Sequence, residues 1–298
     1  MHELVEPIGE VGPLRDPVLI AAFSGWNDFG GAAGAAIKHL GDQWKASDLA
    51  AIRNERLFDF TVQRPTVRLE GERRVIDWPA HQFRVASPAG AERDFVLLSG
   101  PEPHLRWRTF TEAIAELMVE VGATTSITIA AQAGAVPHTR PLPVTLSASD
   151  SDFEGQFGLR VPQSRYEGPT GIVGAFNVDQ RQRGFRNASL WAQVPHYLST
   201  GPNPNAIAAL IKVLDRGFGT NTSLARIERR IERFSEQVQE AVTESGEAES
   251  YIRMLEQQYD DNLEQEAARE SATDAELPSA EDLLSDLEGF LRDQRDEG

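Results

Sequence analysis

Three of the six histidines stand where a chain can do proton chemistry. His104, His138 and His196 each follow an apolar segment that reads as a strand, and each falls in a polar loop. Glu102 and Asp28 stand in loops of the same kind. An imidazole exchanges protons near neutral pH, and a carboxylate accepts them, so this set could supply general acid–base groups. Arg140 has the planar fork that grips a carboxylate or phosphate. Gly25, Trp26 and Asn27 stand in the same loop just before Asp28, and Trp26 could line a pocket. The ligand-binding candidates are therefore Gly25, Trp26, Asn27, Asp28, Glu102, His104, His138, Arg140 and His196. Each has a structural reading beside the functional one. Asp28 or Asn27 suits a helix cap, and His104 a first helical turn. His196, after Pro195, can bond backbone, and Trp26 and Trp107 suit a core. A real ligand site requires Asp28, Glu102, His138 and His196 to line one concave pocket. No residue is assigned as catalytic.

Several motifs fail on spacing. Counting from Gly25 through Gly30, the position where a phosphate-binding P-loop needs Lys is Gly31. The dinucleotide pattern G-x-G-x-x-G does not fit either, and Gly31 and Gly34 are expected to allow close helix–sheet packing. Asp150, Asp152, Glu154 and Gly155 resemble the start of a calcium loop, but its twelfth position is Val161. There is no G-x-S-x-G and no H-E-x-x-H. With no cysteine, thiolate chemistry, disulfides and cysteine-ligated metals are excluded. No metal and no cofactor are expected.

The elements that must position these loops follow from hydrophobic pattern. Val18–Phe23 is a short uninterrupted apolar run, as in a strand buried on both faces. The loop SGWNDFGG and the helix GAAGAAIKHL complete an α/β unit. Leu57–Ala86 alternates and carries Pro and Gly breaks, predicting two or three antiparallel strands or edge pieces. Asp94–Ser99, Thr124–Ala131, Val144–Ser149, Gly171–Phe176 and Leu190–Tyr197 read as strands. His104–Val121 and Asn203–Gly217 read as helices, the latter ending at Gly217 or Gly219. Alternation of this kind implies a mostly parallel sheet covered on both faces, with ligands expected at the strands' carboxyl ends. Toward the C-terminus, Leu224, Ile227, Ile231, Phe234, Val238 and Val242 form one helical stripe. Ser245-Gly246 breaks it, and Ile252, Leu255 and Tyr259 continue the spacing, predicting a helical hairpin. Ser279 with Asp282 forms a capping box for a last amphipathic helix bearing Leu284, Leu287 and Leu291, the candidate partner-binding face. The expected domains are an α/β core over 1–220 and an acidic helical domain over 221–298.

The net charge of -17 is uneven. From Asn221 to Gly298 there are 22 acidic and 8 basic residues, a balance of -14, which leaves 24 against 21 and -3 for the rest. Binding to nucleic acid or to an anionic membrane rests on clustered Lys and Arg, so neither partner is expected. The first residues lack a basic and an apolar segment, so no signal peptide is expected and the protein is placed in the cytoplasm.

The run Ser24–Ala33, SGWNDFGGAA, resembles the first loop of the proteasome assembly chaperone 2 family in its actinobacterial branch. Similar pieces follow in order: FDFTVQRP at Phe58–Pro65, DWP at Asp77–Pro79, and LSGPEP at Leu98–Pro103 with Arg106 and Trp107. GAVPHTRP at Gly134–Pro141, PHY at Pro195–Tyr197 and PNPN at Pro202–Asn205 come next, then YIRMLEQQYD and EDLLSDLEGFLRDQ. The resemblance implies a three-layer α/β/α core like that of nucleoside phosphorylases, with a helical C-terminal appendage. It also implies self-association, with trimers as one form, and relatives that assemble or bind proteasomes. The chain's last residues, Arg295-Asp296-Glu297-Gly298, match neither the hydrophobic-Tyr-any-residue ending nor the Gly-Gln-Tyr-Leu ending of proteasome-docking relatives. Docking through the C-terminus is therefore not expected. Two functions follow as alternatives: a non-catalytic binding or assembly protein acting as a homo-oligomer, or an enzyme or sensor for a nucleoside or phosphate-containing ligand.

Overall fold

The computed structural model describes residues 2–9, 12–161 and 166–274, with side chains as far as residue 265. The chain divides into two compact units, Met1–Gly246 and Glu247–Gly298. The first unit opens with strands β1 (Glu6–Pro7) and β2 (Val18–Ser24), then helix α1 (Ala32–Gln43) and strand β3 (Ser47–Ile52). A hairpin of β4 (Thr66–Glu70) and β5 (Arg73–Asp77) leads to β6 (His81–Ala86) and β7 (Phe95–Pro101). Helix α2 (Trp107–Val121), strands β8 (Thr125–Gly134) and β9 (Val144–Ala148), and helices α3 (Asp152–Phe157) and α4 (Ile172–Gln182) follow. Strand β10 (Arg186–Pro195), then helices α5 (Pro204–Phe218) and α6 (Ala225–Thr243), close the unit. Helix α7 (Gly246–Asp274) runs through the described part of the second.

Eight strands form one sheet in the order β1-β3-β6-β7-β2-β8-β10-β9. The central four, β7-β2-β8-β10, are parallel, and the strands flanking them pair antiparallel. Alternation along β2 sends Leu19, Ala21 and Phe23 to one face, where they pack with Phe110 and Ile114 of α2 and Phe176 of α4. The Phe23 ring meets Phe110 at 5.8 Å and Phe176 at 6.2 Å. Burial of such a ring contributes about 2–3 kcal/mol. On the other face α1 and α5 pack together, and Phe95 sits between Trp44 at 4.8 Å and Phe218 at 5.2 Å. The core is thus a three-layer α/β/α sandwich. Beyond α5, Asp215 accepts from the hydroxyls of Thr220 and Thr222, and Thr222 in turn accepts from the Trp44 indole at 3.1 Å. These bonds tie the start of the α6 segment to the core. The apolar stripe Leu224–Val242 is the face of α6 withdrawn from solvent.

Several elements differ from the sequence expectations. Only half of the sheet is parallel, because after α1 the chain leaves the crossover pattern and adds β6 antiparallel to β7 and β3 antiparallel to β6. Gly171–Phe176 is not a strand but the start of α4. Six apolar residues carry no period. With the following polar turn included, the buried positions Ile172, Val173, Phe176, Asn177 and Gln180 show helical spacing. The LFDF segment is a 3-10 turn at Glu55–Leu57 followed by loop, and Ser47–Ile52, too short and polar at its start to stand out, is a strand. The last amphipathic segment, with Leu284, Leu287 and Leu291, lies outside the described residues.

The β4–β5 hairpin is a separate two-stranded sheet. Its register pairs Val67 with Ile76 and Leu69 with Arg74, which puts the three apolar side chains on one face. All three are exposed, Leu69 to 68%. The opposite face carries Arg68, which pairs with Asp77 at 2.8 Å and Glu70 at 2.7 Å.

Where β6 meets β7, His81 is completely buried. Its Nε2 lies 2.7 Å from the carbonyl oxygen of Pro101, so the neutral ring keeps its proton there. Phe58 stacks on it at 5.5 Å and Phe110 lies at 4.3 Å. Nδ1 has no partner among the described residues. Burial in this aromatic cage lowers the His81 pKa to about 4. An unfolded histidine takes up its proton near pH 6.5, so below that pH the unfolded chain binds more protons than the folded one. Stability falls as pH drops from about 6.5 to about 4, by on the order of 3 kcal/mol from this group. Urea unfolding at pH about 7 and about 4.5 should show this loss, and His81→Phe should shrink it. An equal loss in the variant would remove His81 as its source. Gly100→Ala should also destabilise the sheet, since a methyl there would lie 2.8 Å from the Ala80 carbonyl oxygen and 2.9 Å from His81 Cα.

Candidate functional site

The loop after β2 turns on Gly25, whose φ of 126° suits glycine alone. The Asp28 N–H donates to the Gly25 carbonyl at 3.1 Å, and the Ala131 N–H of β8 donates to the Asn27 carbonyl at 2.9 Å. The Asp28 carboxylate turns inward and accepts from the Ala33 N–H at 2.7 Å and the Gly34 N–H at 3.1 Å. It thereby satisfies two of the orphan donors that open α1. A side chain at position 34 would stand 3.1 Å from Asp28 Oδ2. Gly34 therefore makes room for the capping carboxylate, and Gly31, with φ 58°, packs against Pro202; neither serves the helix–sheet packing expected of them. Burial pushes the Asp28 carboxyl above its ordinary range, against the two N–H bonds that pull it down.

The neighbouring loop, after β7, carries Glu102. Its N–H donates to the Ser24 carbonyl at 2.7 Å, and its Oε1 accepts from the Ile172 N–H at 2.7 Å. Glu102 thus caps α4, which starts at Gly171 with no cap of its own. His104 precedes α2 rather than lying in its first turn; its Nδ1 accepts from the Asp59 N–H at 3.2 Å. Between these loops lies a cavity of about 420 Å³. Ser24, Gly25 and Trp26 line one side, and Glu102, Pro103, His104 and Trp107 the other, with Gln63 from the segment before the hairpin. Trp26 is 68% exposed and lies outside the core expected of it, whereas Trp107 is half-buried and packs against the core cluster while lining the cavity. The Trp107 Nε1–H donates to the Pro103 carbonyl, which holds that ring at the cavity wall.

The remaining candidates gather at the ends of β8 and β10. The His138 N–H donates to the Tyr197 hydroxyl at 3.0 Å, and its Nδ1 lies 2.9 Å from the same oxygen. His196 bonds the Gly134 carbonyl at 3.1 Å through both its backbone N–H and its ring Nδ1. Arg140 is half-buried in the loop between β8 and β9. The four-residue convergence that a ligand site requires is not present: Glu102 lines the cavity, whereas Asp28, His138 and His196 do not. Among the described residues no group of three or more His, Asp and Glu side chains is placed to hold a metal ion. Sequence reasoning passed over Gln63, Tyr197 and His81. Gln63 and Tyr197 stand inside the FDFTVQRP and PHY pieces, but no spacing singled them out.

The architecture and this pair of strand-end clusters define a class of mixed-sheet α/β/α proteins whose candidate polar groups sit in the loops at the carboxyl ends of the parallel strands. The PAC2 family pattern matches residues 22–242, and the chain belongs to that family. A Mycobacterium tuberculosis proteasome-assembly chaperone homologue shares 36% identity over 79% of this chain and 99% of its own, with a TM-score of 0.71. A PAC2 family protein from Streptomyces avermitilis shares 37% over 80% of this chain and 100% of its own, with a TM-score of 0.72. Pyrococcus furiosus PbaB, an archaeal proteasome activator, covers 80% of this chain and 97% of its own at 17% identity and a TM-score of 0.65, a likeness of fold. Comparison with curated proteins returned no match.

The two caps make separable stability predictions. Glu102→Ala should cost about 0.5–2 kcal/mol in urea unfolding, and Glu102→Gln, which keeps an acceptor for the Ile172 N–H, much less. Asp28→Ala, which strips two buried N–H groups of their acceptor, should cost at least as much as Glu102→Ala. Equal stability of Glu102→Ala and the wild type would show that α4 does not depend on this carboxylate.

Proposed function

We propose that the chain is a non-catalytic binding and assembly protein of the PAC2 family, acting in the cytoplasm as a homo-oligomer. The observation that carries this reading is the β4–β5 hairpin. A two-stranded sheet is marginal alone, and this one turns Val67, Leu69 and Ile76 to solvent on one face. A second copy of the chain offers the same face and can cover it symmetrically. The charge does not oppose this: Arg64–Asp77 holds four arginines against three carboxylates, while most of the net negative charge lies after residue 220. The assembly reading is favoured over the catalytic alternative because Asp28 and one oxygen of Glu102 cap helices and His196 bonds backbone. The mycobacterial neighbour is named a proteasome-assembly chaperone homologue and the archaeal one a proteasome activator, and we extend a proteasome-type partner to this chain. Among the described residues no helix is long and apolar enough to cross a membrane. Leu284, Leu287 and Leu291 form a second partner-binding face in this reading.

Light scattering tests the hairpin. The wild type should show a multiple of the monomer mass, and Leu69→Lys with Ile76→Lys should reduce it while leaving the melting temperature near that of the wild type. A monomeric wild type, or an unchanged mass in the variant, overturns the role of this face. Separately, the chain should speed assembly of purified actinobacterial proteasome α and β subunits, and removal of Ser279–Gly298 should weaken that effect. An unchanged assembly rate with the full chain sinks the partner assignment.

A further inference from the structure

The cavity between the β2 and β7 loops has a composition that neither cap nor hairpin explains. Its aromatic surface comes from Trp26 and Trp107. Trp26 remains two-thirds exposed although it packs over the start of α4, where a side chain at Gly171 would run within 2.9 Å of its ring. Large exposed indoles of this kind mark contact sites more often than idle surface. Among the described residues, the cavity's one carboxylate is Glu102 and no Lys or Arg lines it; the other titratable side chain in its wall is His104. Glu102 spends only Oε1 on the Ile172 N–H. Oε2 lies toward Gly25, where a methyl group would stand 3.5 Å from it, so glycine at this position leaves the oxygen open to the cavity side. The wall is therefore aromatic and anionic.

Tryptophan faces attract cations through the ring quadrupole, and a carboxylate beside them adds a full counter-charge. We propose that this cavity binds an organic cation, a guanidinium or alkylammonium group, with Trp26 and Trp107 as its aromatic walls and Glu102 Oε2 as its counter-charge. At about 420 Å³ the space holds one long basic side chain or a small free amine. An Arg or Lys on a protein surface and a free guanidine or polyamine share this chemistry. The site does not depend on the hairpin or on any proteasome partner, so it stands or fails separately from the assembly reading.

Calorimetric titration of the full chain tests it with three probes: acetyl-arginine-methylamide, which imitates a residue in a protein, agmatine, a free guanidine, and acetyl-citrulline-methylamide, the neutral isostere of the first. The guanidinium probes should bind and the citrulline probe should not. Glu102→Gln keeps the acceptor for α4 and removes the charge, so it should weaken binding about tenfold or more at an unchanged melting temperature. Trp26→Ala, on an exposed residue, should weaken it comparably. Tighter binding of the blocked arginine points to a protein side chain, and tighter binding of agmatine to a free metabolite; both support the site. Three outcomes overturn it: equal binding of the citrulline probe, full affinity in Glu102→Gln, or no heat from any probe at about 10 mM.

Discussion

Helix α4 begins without a cap of its own, and the hydrogen bond that compensates comes from seventy residues earlier. Glu102 sits at the end of β7, bonds backbone-to-backbone with the end of β2, and gives one carboxylate oxygen to the Ile172 N–H. A single residue, through its backbone N–H and its carboxylate, therefore joins two parallel strands to the helix covering their face. Asp28 does the same work one loop away for α1, and the Ala131 N–H bond to Asn27 adds β8 to the assembly. The carboxyl ends of three parallel strands are consequently braced by polar contacts, and His81 fixes the β6–β7 corner from beneath through Pro101. What such loops ordinarily offer to a ligand is here largely committed to the fold.

That commitment leaves the acid–base reading without support at Asp28 and His196. Residue types identified loops correctly: Asp28, Glu102, His104, His138 and His196 all lie at or just beyond strand ends. They could not reveal partition. Sheet order sets Glu102 and His104 with β2 and β7, and His138 and His196 with β8 and β10, and that order is a property of three dimensions. The capping role of Asp28 was readable because its partners lie five and six residues on. That of Glu102 was not, because its partner is remote in sequence and belongs to a segment whose six apolar residues look the same as strand or helix.

The buried strands were legible for the opposite reason. Val18–Phe23 and Phe95–Leu98 are unbroken apolar runs covered on both faces. Flanking strands such as Ser47–Ile52, with two exposed residues before four buried ones, fall below the threshold of any pattern. Recognition of the family through SGWNDFGGAA worked where periodicity could not. The residues of that loop are held by turn geometry, a helix cap and a cavity wall together, and each of those demands a particular residue type.

The position of β2 has a consequence for how the protein is made. It is the first long strand to leave the ribosome, yet it lies in the middle of the sheet, with β7 on one side and β8 on the other. Its chain ends at Ser24, whereas β8 begins only at Thr125. At about 5–20 residues per second, the nascent strand spends several seconds with an uncharged sequence, apolar from Val18 to Phe23, and both hydrogen-bonding edges open. The chain thus begins its existence with a segment that needs shelter until its neighbours in the sheet are translated.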